Sequence, residues 1–417
     1  MARAGQIKSL EALDWPSLIR PGELVVWAQA SAEPVSLTQS LVAARAAVGG
    51  FRAFVGISYG ASVDLAHTDW ISFSSYCATG VNLKLGKALD ILPIPYGQIS
   101  SVLGREAPVV LLSLAPGADA DHYSFGAAGD YIADLLKHAR LVIAEINSEA
   151  PKTGQGVDIG RDQIDIIIPL SHPPAPAFPA RIGDAERRIG AHIAEWVEDG
   201  STIQIGLGAI PAAVLKALGH HRDLGIHSGM ITDEVADLAR SGVITNSRKS
   251  RDSGMSVTGL FSGTQRLMDW AAGNTSVVSR PTSYTHDPNI LRSLDRLVAI
   301  NSALEVDLTG QVNAEAVGGR YLGAVGGAGA FLRGAAEARG GLPIIALTSM
   351  ANGRSRIVAS LNGPVSTARC DIGLVVTEHG VADLRGASIR QRQERLISIA
   401  DPSFRQILLD QLSSPSH

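Results

Sequence analysis

The sequence predicts an α/β protein built from two similar open α/β/α domains with mainly parallel sheets. Three observations lead there. Strand and helix patterns alternate along the 417 residues. Aliphatic and β-branched runs such as Val109 to Leu112, Leu141 to Ile143 and Ile372 to Val376 have the unbroken apolar character of strands covered on both faces. The two halves also echo each other in order, as a duplicated unit would.

In the first half Gly22 to Trp27 reads as a strand, Pro34 follows, and a helical pattern runs through Leu37 and Leu41. The second half repeats this: Gly200 to Ile205, then Pro211, Val214 and Leu218. A second echo pairs Arg140-Leu-Val, Ile146-Asn-Ser and Thr153-Gly-Gln with Arg296-Leu-Val, Ile300-Asn-Ser and Thr309-Gly-Gln. Between the halves, Asp165 to Leu170 reads as a buried strand and Gly183 to Glu198 as a helix. The segment 171–180 between them holds four prolines, which remove backbone donors and disfavour both helix and central strand. The expected domains are therefore 1–180 and 181–417, each long enough for a full core.

Composition narrows the function. A net charge of -4 without a Lys/Arg-rich block gives no electrostatic footprint for nucleic acid. No run of eighteen apolar residues is present to span a membrane. Met1 to Leu10 is charged and polar where a signal peptide has an apolar stretch, so the expected location is cytoplasmic. Cys77 and Cys370 form neither a disulfide framework nor a metal cluster, and both are expected as small buried thiols. No metal is expected.

Forty-four glycines stand out. Gly206-Leu-Gly208 follows an expected strand and opens a helix, where backbone N–H groups approach an anion or a developing oxyanion. The cluster Gly318, Gly319, Gly323, Gly326, Gly327 and Gly329 before Phe331 is denser than a turn needs and suggests close approach of backbone to a ligand. Glu305 and Asp307 lack the partners of a metal or acid/base site and are expected to be structural. Glu378 with His379 sits at a strand-to-helix turn, where the expected task is to hold Arg385 and fix a loop. Glu145 ends an apolar strand and is placed either to enter a cleft or to bond to the neighbouring domain.

Gly206 to Pro211, Asp223 to His227, Ala299 to Gln311, Gly326-Gly327 with Phe331, and Val376 to Gly386 together resemble the acetyl-CoA hydrolase/transferase family, in its 4-hydroxybutyrate CoA-transferase branch. Arg392, Asp401-Pro402 and Phe404 carry the resemblance nearly to a short tail at 413–417; Glu33-Pro34, Ala144 to Asn147 and Thr153-Gly154 carry it more thinly in the first half. The resemblance implies two α/β domains, acyl-CoA bound between them, and a homodimer. It also implies a glutamate within Thr-Glu-Met where this chain has Ser228, Gly229 and Met230.

In such enzymes that glutamate attacks the thioester, giving an acyl-glutamyl anhydride and then a glutamyl-CoA thioester. Each step passes through an oxyanion. Asn301 matches the side-chain donor to it, and the backbone N–H of Gly326 or Gly327 would be the second. Gly206, Gly208, Gly323 and Gly329 are then expected to line the CoA site. Glycine at 229 has no atom to form the anhydride, so ping-pong transfer through it is excluded. The family's polar residues at two further positions are Ala328 and Ala330 here. Its Asp-Gly is Asp233-Glu234, which raises a relocated carboxylate, although five residues along a helix turns Glu234 about 140° from position 229. Direct attack by water, oriented by His227 or Ser228, gives a hydrolase; attack by a small-molecule acceptor other than a carboxylate gives an acyltransferase. His227 is otherwise a structural hydrogen-bonding residue. Ser228 as a covalent nucleophile lacks an assignable base. A silent acyl-CoA binder is the alternative outside enzymes.

Overall fold

The computed structural model describes residues 6–153, 158–178 and 180–413. Residues 1–5 of the charged and polar N-terminal stretch, Gly154 and Gln155 of the second echo, Pro179 of the linker and the tail residues 414–417 lie outside them.

Two compact units emerge. Unit 1 comprises 1–179 with Gly229–Asp233 and Val257–Thr285, and unit 2 the remainder. This departs from a simple division at 180, because two stretches of the second half pack with the first. The reason is visible in the backbone: Gly129 N donates to Gly259 O and Phe261 N to Ala127 O.

Unit 1 is organised on eight strands: β1 (Gln6–Ile7), β2 (Leu24–Trp27), β3 (Phe51–Phe54), β4 (Ile71–Ser75), β5 (Leu89–Ile91), β6 (Val109–Pro116), β7 (Leu141–Asn147) and β8 (Ile166–Leu170). They run in the order β1-β8-β7-β6-β2-β3-β4-β5, and every neighbouring pair is parallel. Val109 to Ala115 is buried without interruption, the pattern of a strand covered on both faces. Helix α1 (Val35–Ala43) follows β2 and buries Leu37 and Leu41.

Unit 2 repeats the scheme with β9 (Thr202–Ile205), β10 (Gly225–Ile226), β11 (Leu297–Ser302), β12 (Leu342–Ala346), β13 (Leu374–Thr377) and β14 (Gly380–Asp383), in the order β10-β9-β11-β12-β13-β14. Within this six-stranded sheet the edge hairpin β13–β14 is antiparallel and the other neighbouring pairs are parallel. Helix α2 (Asp184–Ala194) packs closely on α3 (Ala209–Ala217): a Cβ on Gly190 would lie 2.8 Å from the Ala213 carbonyl oxygen. Phe331, Leu332, Leu291 and Leu396 belong to one buried cluster in this unit.

The two echoes fare differently. Strand β2 lies between β3 and β6, and β9 between β10 and β11, so the first echo joins equivalent positions. The second does not. Strand β7 is separated from β2 by β6, whereas β11 is the direct neighbour of β9.

Candidate functional site

The stretch Gly225 to Met230 is held by Lys249 at its start and by the end of β9 at Ser228. Gly225 has no side chain because the Lys249 stem passes there; a Cβ would meet its Cγ at 2.5 Å. Lys249 is buried, and its Nζ donates to the carbonyls of Ile226 (2.8 Å) and Met255 (2.6 Å). With its charge desolvated, its pKa falls to about 8. His227 and Ser228 are fully buried. The Ser228 hydroxyl donates to Ile205 O at 3.0 Å and accepts from Ile205 N at 3.3 Å, which ties it to the end of β9.

The next residue, Gly229, belongs to unit 1. Its carbonyl accepts from Gly259 N (3.1 Å) and Leu260 N (3.2 Å). Residues Met230–Ile231 are then extended, and helix α4 (Asp233–Arg240) starts after them. The expected helical separation of Gly229 and Glu234 therefore does not hold, since no helix connects them. Glu234 is half-buried in the first turn of α4 and belongs to unit 2.

Asn301, near the end of β11, is 8% exposed and paired with Gln204, which is 4% exposed. Asn301 Nδ2 donates to Gln204 Oε1 at 2.9 Å, and Gln204 Nε2 donates to Asn301 Oδ1 at 3.3 Å. One chain of bonds thus links Ser228, the end of β9 and Asn301. Gly206 and Gly208 continue directly from β9 into α3. A Cβ on Gly206 would meet nothing within 4 Å, and Gly208 adopts φ +119° at the helix start.

The glycine-rich segment follows helix α5 (Pro288–Arg292) and is held separately. Gly326 is left-handed, with φ +57°, and Gly327 caps α6 (Ala328–Glu337). A Cβ on Gly327 would lie 2.5 Å from His286 Nε2. His286 is buried edge-on against Phe331, with centroids 4.7 Å apart, and burial pushes its pKa down to about 3. It is a neutral imidazole at working pH. Nothing in the sequence around His286 signalled this contact, which joins residues forty-one positions apart. Gly329 has open space where a Cβ would be. Gly323 has another task than ligand approach: a Cβ there would meet the Ala314 carbonyl oxygen at 2.0 Å, and its N–H donates to Glu315 O. Ala328 and Ala330 are partly buried against the unit 2 core.

Other candidates resolve plainly. Glu378 does not hold Arg385. It accepts from Ser349 N (2.8 Å) and Ser349 Oγ (2.7 Å), while Arg385 pairs with Asp383 two residues before it. Asp307 Oδ1 accepts from Thr309 N, Thr309 Oγ1 and Gln311 N, closing its own loop, and Glu305 accepts from Asn313. Cys77 is buried as expected, but Cys370 is exposed because it lies in the turn before β13 and not on an inward strand position. Glu145 is buried and accepts from His172 Nε2 at 3.0 Å within unit 1; this bond raises the His172 pKa. Glu33, which the sequence marks only through the family resemblance, accepts at Oε2 from Ser58 Oγ, Tyr59 N and Gly60 N. Burial raises its pKa. Among the described residues there is no cluster of His, Cys, Asp and Glu suited to a metal ion, and no helix long and apolar enough to cross a membrane.

Residues 263–412 match the model of the acetyl-CoA hydrolase/transferase C-terminal domain. The chain is 39% identical over 329 residues to the 4-hydroxybutyrate coenzyme A transferase of Clostridium kluyveri, covering 77% of each protein. Its fold is similar to that of RipA from Yersinia pestis, with TM-score 0.91 and 29% identity across 98% of this chain and 97% of that one. The 4-hydroxybutyrate CoA-transferase of Porphyromonas gingivalis is also similar, with TM-score 0.82 and 31% identity over the same shares.

Proposed function

The chain belongs to the acetyl-CoA hydrolase/transferase family and is an enzyme acting on acyl-CoA, and we propose that it works by direct attack on the thioester, without a glutamyl intermediate. The observation that carries this reading is Gly229, which has no side chain to serve as a nucleophile. The acyl acceptor is water or a small molecule other than a carboxylate.

In this reading Asn301 Nδ2 and a backbone N–H at Gly326 or Gly327 stabilise the oxyanion as the nucleophile adds to the thioester carbonyl. Asn301 uses one N–H on Gln204 and has a second to give. The left-handed Gly326 and the start of α6 present backbone N–H groups where the helix dipole favours negative charge. The tetrahedral intermediate then collapses: the carbon–sulfur bond breaks, the acyl group leaves on the acceptor oxygen or nitrogen, and CoA leaves as the thiolate, which takes up a proton. Gly206 and Gly329, where a Cβ would meet nothing within 4 Å, and Gly208, where it would meet only Pro211 Cδ at 3.9 Å, are suited to CoA. The bonds of the Ser228 hydroxyl to Ile205 support a structural role for it, and the burial of His227 supports the same. A cytoplasmic homodimer is the state we assign by family likeness.

The test is to incubate the purified protein with a panel of acyl-CoAs and follow CoA release and new thioesters by mass spectrometry, with and without carboxylates. Acceptor-independent CoA release is expected. Replacing Asn301 with alanine should lower kcat by about 10²–10³, or ~2.7–4 kcal/mol, as for other oxyanion donors. A new thioester that needs added carboxylate would overturn the reading in favour of a relocated carboxylate, for which Glu234→Gln is the check. Tight acyl-CoA binding with no turnover would instead indicate a silent binder, to which the alanines at 328 and 330 lend support.

A further inference from the structure

We infer that Gln204 is a positioning residue for the Asn301 amide, an inference that rests on the oxyanion role proposed for Asn301. The placement follows from the sheet. Strands β9 and β11 are parallel with Gln204 opposite Ala299. Alternate residues of a strand share a face, so Asn301 projects on the side of Ala299 and stands diagonally across from Gln204. Both side chains are buried, where an amide without partners costs stability and an amide with them is held firmly.

The pairing is reciprocal, so neither amide can turn without breaking both bonds unless the other turns with it. Each amide gives one N–H and one carbonyl oxygen to the other. Asn301 is thereby fixed in the plane of the pair, with its remaining N–H turned away from Gln204. A lone asparagine turns about its last torsion easily, since that torsion is broad. Half a turn would aim a carbonyl oxygen at the developing oxyanion and replace attraction by repulsion. Gln204 opposes that turn, since Asn301 turning alone would set oxygen against oxygen and N–H against N–H across the pair. The residue beside it, Ile205, holds the Ser228 hydroxyl through both its N–H and its carbonyl. The end of β9 therefore orients the oxyanion donor and anchors the residue preceding Gly229 from two consecutive positions.

Gln204→Met keeps length and apolar bulk but removes both bonds. With the acyl-CoA that the full-length enzyme turns over best, kcat should fall roughly 10- to 100-fold while KM stays within about threefold, because the donor acts on the transition state more than on the bound thioester. The double variant Gln204→Met/Asn301→Ala should lose no more than Asn301→Ala alone, since Gln204 then has nothing left to orient. Thermal unfolding of each variant separates this from loss of the fold. A KM effect equal to the kcat effect, or full additivity in the double variant, would overturn the inference, as would an unchanged kcat in Gln204→Met. An Asn301→Ala variant of unchanged kcat would instead remove the oxyanion reading beneath it, so the two failures are distinguishable.

Discussion

The backbone at position 229 is held through its carbonyl. Its carbonyl accepts two N–H groups, from Gly259 and Leu260, both of unit 1. Gly229→Glu should therefore place a carboxylate without refolding the turn. The expected outcome is a covalent acyl- or CoA-enzyme adduct detectable by intact-protein mass spectrometry, together with CoA transfer to added carboxylates; absence of both would mean that 229 is not the nucleophile position. His286 makes a second prediction at this scale. Its folded pKa of about 3 lies below the value near 6.5 of the unfolded chain, so between these limits the unfolded state binds the extra proton. Its contribution makes stability fall as pH drops through about 6.5 toward 3, by ~1.4 kcal/mol per pH unit for one proton. Denaturant unfolding of wild type and His286→Gln across this range measures it; an identical acid slope would show that His286 is not the source. These two residues also mark what a sequence does and does not disclose. Gly229 was legible because a motif surrounds it, whereas His286 acts on Gly327 through a packing contact that no local pattern encodes.

The glycine turn before α6 shows the same contrast at the level of an element. A cluster of glycines announced close approach, but what approaches differs along it: a histidine ring at Gly327, a carbonyl oxygen at Gly323, open space at Gly329. Gly327→Ala should push against the buried His286 ring and cost about 1–3 kcal/mol, as overpacking does. Gly329→Ala, with no neighbour within 4 Å and a helical position, should be neutral or slightly stabilising. Urea denaturation of the pair checks the ordering, and equal stability would remove the role given to His286. Strands were readable as apolar runs because both faces of each sheet are covered. The role of Glu378 was not, because its partner Ser349 lies beyond β12, and proximity in sequence favoured Arg385 instead.

For the molecule as a whole, the sequence displayed two α/β halves and their proline-rich junction, yet not that 229–233 and 257–285 pack with the first half. Those stretches are short and carry no helical or strand periodicity long enough to reveal a destination; their ties to Ala127 and Gly129 are backbone bonds, which any side chains permit. A fragment ending at 179 should therefore be poorly folded, with broadened thermal unfolding, and adding residues through 285 should sharpen it; a cooperative transition in the shorter fragment would contradict the division. The discontinuity reaches back to the moment of synthesis. Domains usually fold from the N-terminus as they emerge, at about 5–20 residues per second. Here the first unit must wait for Thr285, so for roughly 5–20 s after its sheet has left the ribosome the Ala127 to Gly129 edge stands unpaired. Through that interval the Gly129 N–H and the Ala127 carbonyl, which later bond to Gly259 and Phe261, have only water to satisfy them.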